Sequence, residues 1–153
     1  MRCKPASTPT EANVDLWFDN SHILDNPGRY RRLIRKLIYL TVTRPNITLV
    51  VGVLSRFMHQ RRKVHWTTAL RILTYIKSSP RKGLLYKKHE HVHVSKYSDS
   101  GYASAKGDRK STPGYCTFVG ENLVTWRSKK QDVFQSNAEF EYRAMTYIAC
   151  EMI

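Results

Sequence analysis

The stretch Tyr30-Arg31-Arg32-Leu33-Ile34-Arg35-Lys36-Leu37-Ile38-Tyr39-Leu40 decides how the first half of this chain folds. Leu33, Leu37 and Leu40 recur at spacings of four and three residues, which is the period of an α-helix with one apolar face. The other side of that helix is basic, with Arg31, Arg32, Arg35 and Lys36. The pattern predicts an amphipathic helix from Tyr30 whose apolar stripe enters a core.

Two more helices are predicted downstream. Pro45 ends the first helix and suits the first turn of the next. The second apolar stripe comprises Ile47, Val50, Val51, Leu54, Phe57 and Met58, and the third comprises Trp66, Ala69, Leu70, Leu73 and Ile76. The basic cluster Arg61-Arg62-Lys63 separates these two stripes, and Ser78-Ser79-Pro80 ends the third. Residues 1–28 are rich in Pro, Thr, Asn and Asp, which predicts an extended arm.

After Gly83 the hydrophobic period changes to two, which predicts strands. The candidates are Leu84-Leu85-Tyr86, the stretch from Val92 to Asp99, and a hairpin of 114–119 and 123–126 around Gly120-Glu121-Asn122. Ser136 or Asn137 then caps a predicted helix with Ala138, Met145 and Ile148. The expected fold class is α+β, with an arm over 1–28, a helical segment over 29–82 and a β-β-β-α unit over 83–153.

The charge of the chain is strongly positive and unevenly spread. Lys and Arg number 26 against 12 Asp and Glu, a net charge of +14, and no acid occurs from Asn26 to His89. A segment of one sign repels itself unless a polyanion neutralises it, and phosphate backbones are the usual polyanion. A solvated basic face with no partner is the alternative. The candidate nucleic-acid contacts are Arg31, Arg32, Arg35, Lys36, Arg61, Arg62, Lys63, Arg127, Lys129 and Lys130.

Several function classes are disfavoured. No apolar run approaches the roughly 20 residues of a membrane span, and the start lacks the apolar stretch of a secretory signal. Cys3, Cys116 and Cys150 form no Cys-x-x-Cys pair, which argues against a disulfide scaffold or a structural zinc site. We therefore expect an intracellular protein with free thiols and no membrane partner.

Two groups of residues could bind a metal. His89, His91 and His93 would share one face of a strand and could converge on zinc, although an exposed polar strand face is the simpler interpretation. Asp99 ends a predicted strand, and Glu139 and Glu141 lie early on a later helix. Such carboxylates could form half of a two-metal magnesium site, although ordinary surface acids give the same spacing.

Taken together, several strings in one order resemble a copia-type retrotransposon Pol polyprotein. Those similar to the end of its reverse transcriptase are Cys3-Lys4-Pro5, Tyr30-Arg31-Arg32-Leu33, Thr43-Arg44-Pro45, Ser55-Arg56-Phe57-Met58, His65-Trp66 and Lys82-Gly83-Leu84. Those similar to the adjoining ribonuclease H domain are Tyr97-Ser98-Asp99, Gly114-Tyr115-Cys116, Trp126-Arg127-Ser128-Lys129-Lys130-Gln131 and Glu141-Tyr142-Arg143-Ala144. The resemblance runs from about residue 3 to the end of the chain and suggests a plant source.

The resemblance implies a helical reverse-transcriptase tail followed by a partial ribonuclease H-like unit. Its implied parent activity is Mg²⁺-dependent hydrolysis of the RNA strand in an RNA–DNA hybrid. Asp99 and Glu141 match the catalytic magnesium ligands. Glu141 is preferred to Glu139 because it precedes Tyr-Arg-Ala, and residues two apart on a helix face different ways. The implied partner is the hybrid, and an exposed sheet edge could also support self-association.

The departures from the family predict a loss of activity. The polymerase site needs paired aspartates, and the chain contains no Asp-Asp pair. Gly101 stands where the family carries a second acid, and the remaining metal-binding carboxylates are expected beyond Ile153. We therefore expect a truncated Pol fragment that is inactive alone. The alternatives are a basic nucleic-acid-binding module without catalysis and a non-functional open reading frame.

Overall fold

The computed structural model describes residues 3–11, 14–17, 21–99 and 114–128, together with Tyr142, Met145 and Thr146. The chain divides into two compact units, Met1–Gly83 and Leu84–Ile153, called here the helical unit and the sheet unit. Among the described residues, three α-helices come first and a three-stranded antiparallel sheet follows. The expectation of a mixed helix and sheet protein is thus confirmed. No helix in the described ranges is long and apolar enough to cross a membrane.

Helix α1 spans Pro27–Leu40 and is amphipathic, as predicted. It begins three residues before Tyr30 because Asn26 caps it: the Asn26 side chain accepts a hydrogen bond from the Arg29 N–H at 3.2 Å. Pro27 occupies the first turn, where its missing N–H costs nothing. Tyr30, Ile34 and Leu37 are the buried residues of the helix, at helical spacing.

The second helical stripe is shorter than predicted. A 3-10 helix, Pro45–Ile47, leads into α2, which spans Thr48–Ser55, and α3 spans Lys63–Ser78. Phe57 and Met58 lie beyond the end of α2, so their assignment to that helix was wrong. The chain turns there because the Phe57 ring stacks on His65, with centroids 3.9 Å apart, and meets Trp17 at 4.8 Å.

The core of the helical unit lies where the three helices meet. Its buried residues are Tyr30, Ile34, Leu37, Ile47, Val50, Val51, Leu54, Ala69 and Ile72. The Tyr30 hydroxyl donates to the Leu54 carbonyl at 2.8 Å and so links α1 to α2. Burial raises the pKa of Tyr30, which keeps the hydroxyl protonated as a donor.

Arg44 is buried although it belongs to the basic segment. Its Nη2 donates to the carbonyl oxygens of Ser79 and Pro80 at 2.7 and 2.8 Å. These carbonyls follow the end of α3, and the Ser79 carbonyl also accepts the Lys82 N–H at 3.1 Å. Arg44 therefore links the loop after α1 to the residues that follow α3, and its guanidinium stabilises the fold.

The described residues before α1 (3–11, 14–17 and 21–26) are not helical, and their contacts run antiparallel along α3. Backbone hydrogen bonds join Ala6 N–H to Thr74 O at 3.3 Å and Leu24 N–H to Arg61 O at 3.1 Å. Leu16 and Leu24 pack against the core. The arm is therefore part of the packed helical unit.

The sheet has the strand order β1-β2-β3, with β1 at Val94–Asp99, β2 at Gly114–Val119 and β3 at Asn122–Ser128. The predicted hairpin is confirmed, with Gly120 and Glu121 as its two turn residues. Both have positive φ, +51° and +65°, which is the turn geometry that matches the twist of a hairpin.

The prediction of a strand at Leu84-Leu85-Tyr86 was wrong, since the stretch from 82 to 93 is irregular. Leu85 and Tyr86 are both exposed, so no core covers either face of this stretch and nothing favours an extended strand there. The Asn122 side chain instead pairs with the backbone N–H and C=O of Lys87, at 2.9 and 2.8 Å. The helix predicted after Ser136 lies outside the described residues, except that Tyr142, Met145 and Thr146 are helical.

The substitution Tyr30→Phe should lower the free energy of unfolding by about 1 kcal/mol, because it removes the hydrogen bond to Leu54. The loss stays modest because the Leu54 carbonyl also accepts from the Phe57 N–H at 3.1 Å. Tyr39→Phe is the matched control on the same helix, and it should be neutral since Tyr39 is exposed. Urea titration of both variants measures the difference, and equal values would contradict the account.

The substitution Gly120→Ala should destabilise the sheet unit by about 1–3 kcal/mol, since it places a side chain at positive φ. A Cβ there would also lie 2.6 Å from the His91 carbonyl oxygen. Gly83→Ala has nothing within 4 Å of its Cβ and should cost less than about 0.5 kcal/mol. Thermal unfolding followed by near-ultraviolet circular dichroism compares the two. A Gly120→Ala protein as stable as the control would refute the turn assignment.

Candidate nucleic-acid interface

Helix α1 carries five exposed cations, and the guanidinium carbon of one of them, Arg29, lies 5.9 Å from the centroid of the Trp66 ring. The other four, Arg31, Arg32, Arg35 and Lys36, are called here the basic face of α1. They lie opposite the buried stripe because the helix turns once in about 3.6 residues. Arg31 and Arg35 are one turn apart, and so are Arg32 and Lys36. The helix contains no acidic residue. The basic face of α1 is thus a strip of one sign, as the sequence predicted.

This arrangement costs stability in the absence of a partner. Like charges four residues apart each destabilise a helix by about 0.2–0.5 kcal/mol. Arg29, the third residue of α1, also opposes the positive end of the helix dipole. Bound phosphates would relieve both costs and release counterions. The basic face of α1 is therefore suited to a polyanion.

Sequence reasoning missed Tyr39, whose side chain is 80% exposed on the same helix. It lies four residues after Arg35, so it extends the basic face of α1 by one turn. Aromatic rings beside cations are the usual stacking platforms for unpaired bases. The signal was present in the sequence, because Tyr39 falls outside the stripe of Leu33, Leu37 and Leu40.

The predicted contacts Arg61 and Arg62 are half-buried and bonded to the backbone. Arg61 Nη1 donates to Met58 O at 2.6 Å, and Arg62 Nη1 donates to Ser21 O at 3.1 Å. These bonds hold the turn before α3 and the arm in place. Lys63, the first residue of α3, is exposed. Each guanidinium is therefore held to the backbone through Nη1, which leaves fewer of its five N–H donors for phosphate.

Other cations of the helical unit also have partners inside the protein. Arg71 forms an ion pair with Glu11 at 2.7 Å, so an acidic residue of the arm compensates one of the charges of the basic segment. The guanidinium carbon of Arg56 lies 5.9 Å from the Trp17 ring centroid. Burial lowers the pKa of Arg56. The number of basic residues in the sequence thus overstates the charge available to a ligand.

In the sheet unit, Arg127 is exposed on β3, where it pairs with Tyr115 of β2. Lys129 and Lys130 lie outside the described residues. The backbone of Asp99 ends β1 opposite Gly114, which pairs in turn with Ser128.

The structure locates only one of the predicted magnesium ligands. It describes the backbone of Asp99, whereas Glu139 and Glu141 lie outside the described residues. Within the described ranges, no three His, Cys, Asp or Glu side chains are grouped closely enough to hold a metal ion. Magnesium binding by Asp99 and Glu141 therefore stays a prediction.

His89, His91 and His93 precede β1, so the strand that would have aligned them was wrongly assigned. Their ring centroids are 6.2 and 6.5 Å apart in sequence order. His89 Nδ1 lies 3.6 Å from a Glu121 carboxylate oxygen, while His93 Nδ1 lies 3.1 Å from the Ser95 hydroxyl. The rings therefore face different partners.

Comparison with known proteins identifies the family. The chain is 37% identical to the retrovirus-related Pol polyprotein from transposon RE1 of Arabidopsis thaliana, and 33% identical to that from transposon RE2 of the same plant. Each match covers 99% of this chain and 10% of the polyprotein. The uncharacterized mitochondrial protein AtMg00810 of Arabidopsis thaliana is 34% identical, over 99% of this chain and 63% of its own length.

No family model and no solved structure matches the chain. The chain spans about a tenth of the two polyproteins and less than two thirds of the mitochondrial protein. The matches run over nearly its whole length at 33–37% identity, and they confirm the resemblance found in the sequence. The chain therefore belongs to the family of retrovirus-related Pol polyproteins from transposons.

Proposed function

We propose that this chain is a nucleic-acid-binding segment of a copia-type Pol protein, in which a reverse-transcriptase tail meets a ribonuclease H-like unit. The helical unit would be the tail, and the sheet unit would be the start of the ribonuclease H-like part. The order of the two units along the chain and the family-like strings within each of them support this division.

The observation that carries the proposal is the basic face of α1. Four of the five exposed cations of a helix that has no acid share one face, which supports binding of phosphates. Its favoured ligand is an RNA–DNA hybrid, since A-form duplexes are recognised through their backbone and shape. Binding would be largely independent of sequence, because phosphate contacts position a protein without reading bases.

The parent activity in this proposal is hydrolysis of the RNA strand of the hybrid. Magnesium ions, when bound, would stabilise the attacking and leaving oxygens of the phosphodiester. Asp99 and Glu141 would be their protein ligands. Two carboxylates hold Mg²⁺ weakly without further oxygen ligands, and Gly101 offers none where the family carries an acid. The 153 residues are therefore proposed to bind the hybrid without cleaving it.

The basic face of α1 can be tested by changing Arg31, Arg32, Arg35 and Lys36 together to Gln. Each lost phosphate contact should lower the magnitude of the log–log salt slope by about 0.9, so the total reduction should reach about 3–4. Fluorescence anisotropy with a labelled RNA–DNA hybrid, repeated across a salt titration, measures the slope. Helicity should be retained, because the substitutions remove like-charge repulsion from α1.

The matched control changes Arg81, Lys82, Lys87 and Lys88 to Gln, which removes the same charge from exposed positions outside α1. It should reduce the slope much less. If both quadruple variants bind alike, only the total charge matters and the assignment to α1 fails.

The chain should show no hybrid cleavage in Mg²⁺ or Mn²⁺, because two carboxylates position a metal ion too loosely. A gel assay with labelled RNA in the hybrid detects the products. Asp99→Asn and Glu141→Gln are the control variants. Cleavage by the unaltered chain that disappears in both variants would show a working nuclease.

A further inference from the structure

The arm of the helical unit meets α3 in two different ways. Residues 3–11, called here the strap, touch α3 through polar contacts. Residues 14–17 and 21–25, called here the anchored part, are held by apolar side chains: Leu16 and Leu24 pack on the core, and the Trp17 ring lies 4.8 Å from Phe57. The anchored part can stay in place while the strap moves.

The strap contacts two cations of α3. Arg71 Nη1 meets Glu11 Oε1 at 2.7 Å, and its Nη2 donates to the Thr8 hydroxyl at 3.2 Å. Lys77 Nζ donates to the Cys3 carbonyl oxygen at 2.9 Å. Arg71 and Lys77 are six residues apart, and Thr74 between them accepts the Ala6 N–H at 3.3 Å. The strap thus follows a polar strip on α3.

These contacts hold the strap weakly. The side chains of Glu11 and Arg71 are 59% and 27% exposed, and an ion pair open to solvent contributes only about 0–1 kcal/mol. A hydrogen bond between neutral groups adds about 1 kcal/mol. Segments held by a few exposed polar contacts open locally well below the energy of global unfolding.

By contrast, the anchored part is held firmly. The Leu16 carbonyl bonds to His65 Nε2 at 2.8 Å, and the His65 ring is buried. His65 Nδ1 accepts the Arg62 N–H at 2.9 Å, so this ring joins the arm to the start of α3. Opening of the strap would leave this junction intact.

We propose that the strip of α3 holding Arg71 and Lys77 is a second polyphosphate-binding surface, and that the strap occupies the donors of these two side chains until nucleic acid displaces it. This inference rests on the proposed binding of nucleic acid. Arg71 and Lys77 donate to groups of the strap, the Glu11 carboxylate and the Cys3 carbonyl among them. A nucleic-acid strand would offer each cation a charged phosphate oxygen, and counterion release would favour the exchange. The apparent association constant of this surface for nucleic acid then equals its intrinsic value multiplied by the fraction of molecules in which the strap is open.

Displacement can be followed at Cys3, a half-buried free thiol in the strap. The rate of maleimide labelling of the peptide containing Cys3, measured by mass spectrometry, should rise severalfold when a saturating RNA–DNA hybrid is added. Cys116 of the sheet unit provides an internal reference in the same sample. An unchanged or slower rate at Cys3, with the hybrid bound, would overturn the displacement while leaving the proposed function standing. Absence of hybrid binding at every salt concentration would refute both.

A second experiment measures the competition itself. Glu11→Gln weakens the strap and should tighten hybrid binding at low salt by about twofold to fivefold. Asp25→Asn removes the same charge from the arm outside the strap and should give less than half that gain. Adding Arg71→Gln to Glu11→Gln should abolish the gain, since the uncovered cation is then missing. If Glu11→Gln and Asp25→Asn tighten hybrid binding equally, the gain comes from the change in net charge and not from the strap, and the proposal is refuted.

Discussion

The packing of Tyr30, Ile34 and Leu37 against α2 and α3 is the constraint on which the helical unit depends. Once this stripe is buried, α1 has one possible rotation about its axis. Arg31, Arg35 and their neighbours must then face solvent, because burying an unpaired cation costs far more than exposing it. The burial of three apolar side chains therefore builds the basic face of α1. The hydrogen bond from the Tyr30 hydroxyl to the Leu54 carbonyl further restricts how α1 can be oriented against α2.

The same type of residue has two different uses in this unit. Arg44, Arg61 and Arg62 donate to backbone carbonyls outside the helices and so link segments of the helical unit. The cations of α1 are exposed and concentrated on one face. The fold thus divides a uniformly basic segment into residues that hold the backbone and residues that can meet a ligand.

The arm shows how a polar segment becomes part of a folded unit. Its anchored part contributes Leu16, Trp17 and Leu24 to the apolar packing around α3. Its first part contributes hydrogen bonds and one ion pair with α3. Because these polar contacts are exposed, they determine where the strap lies on α3 but add little to the free energy of unfolding. Two adjoining parts of one arm can therefore differ in how readily they leave α3.

The sequence by itself determined the features that depend on local chemistry. The 3.6-residue period places the apolar stripe and the four cations of α1, and Gly120 followed by Glu121 and Asn122 places the hairpin turn. Only the tertiary structure decided which cations remain exposed, because the partners of Arg44 and Arg71 lie 35 and 60 residues away along the chain. It also decided that Leu85 and Tyr86 form no strand, since a period of two indicates a strand only where a core covers one face. Long-range contacts of this kind leave no periodic signal in the sequence, which is why the basic face of α1 could be predicted and the docking of the arm could not.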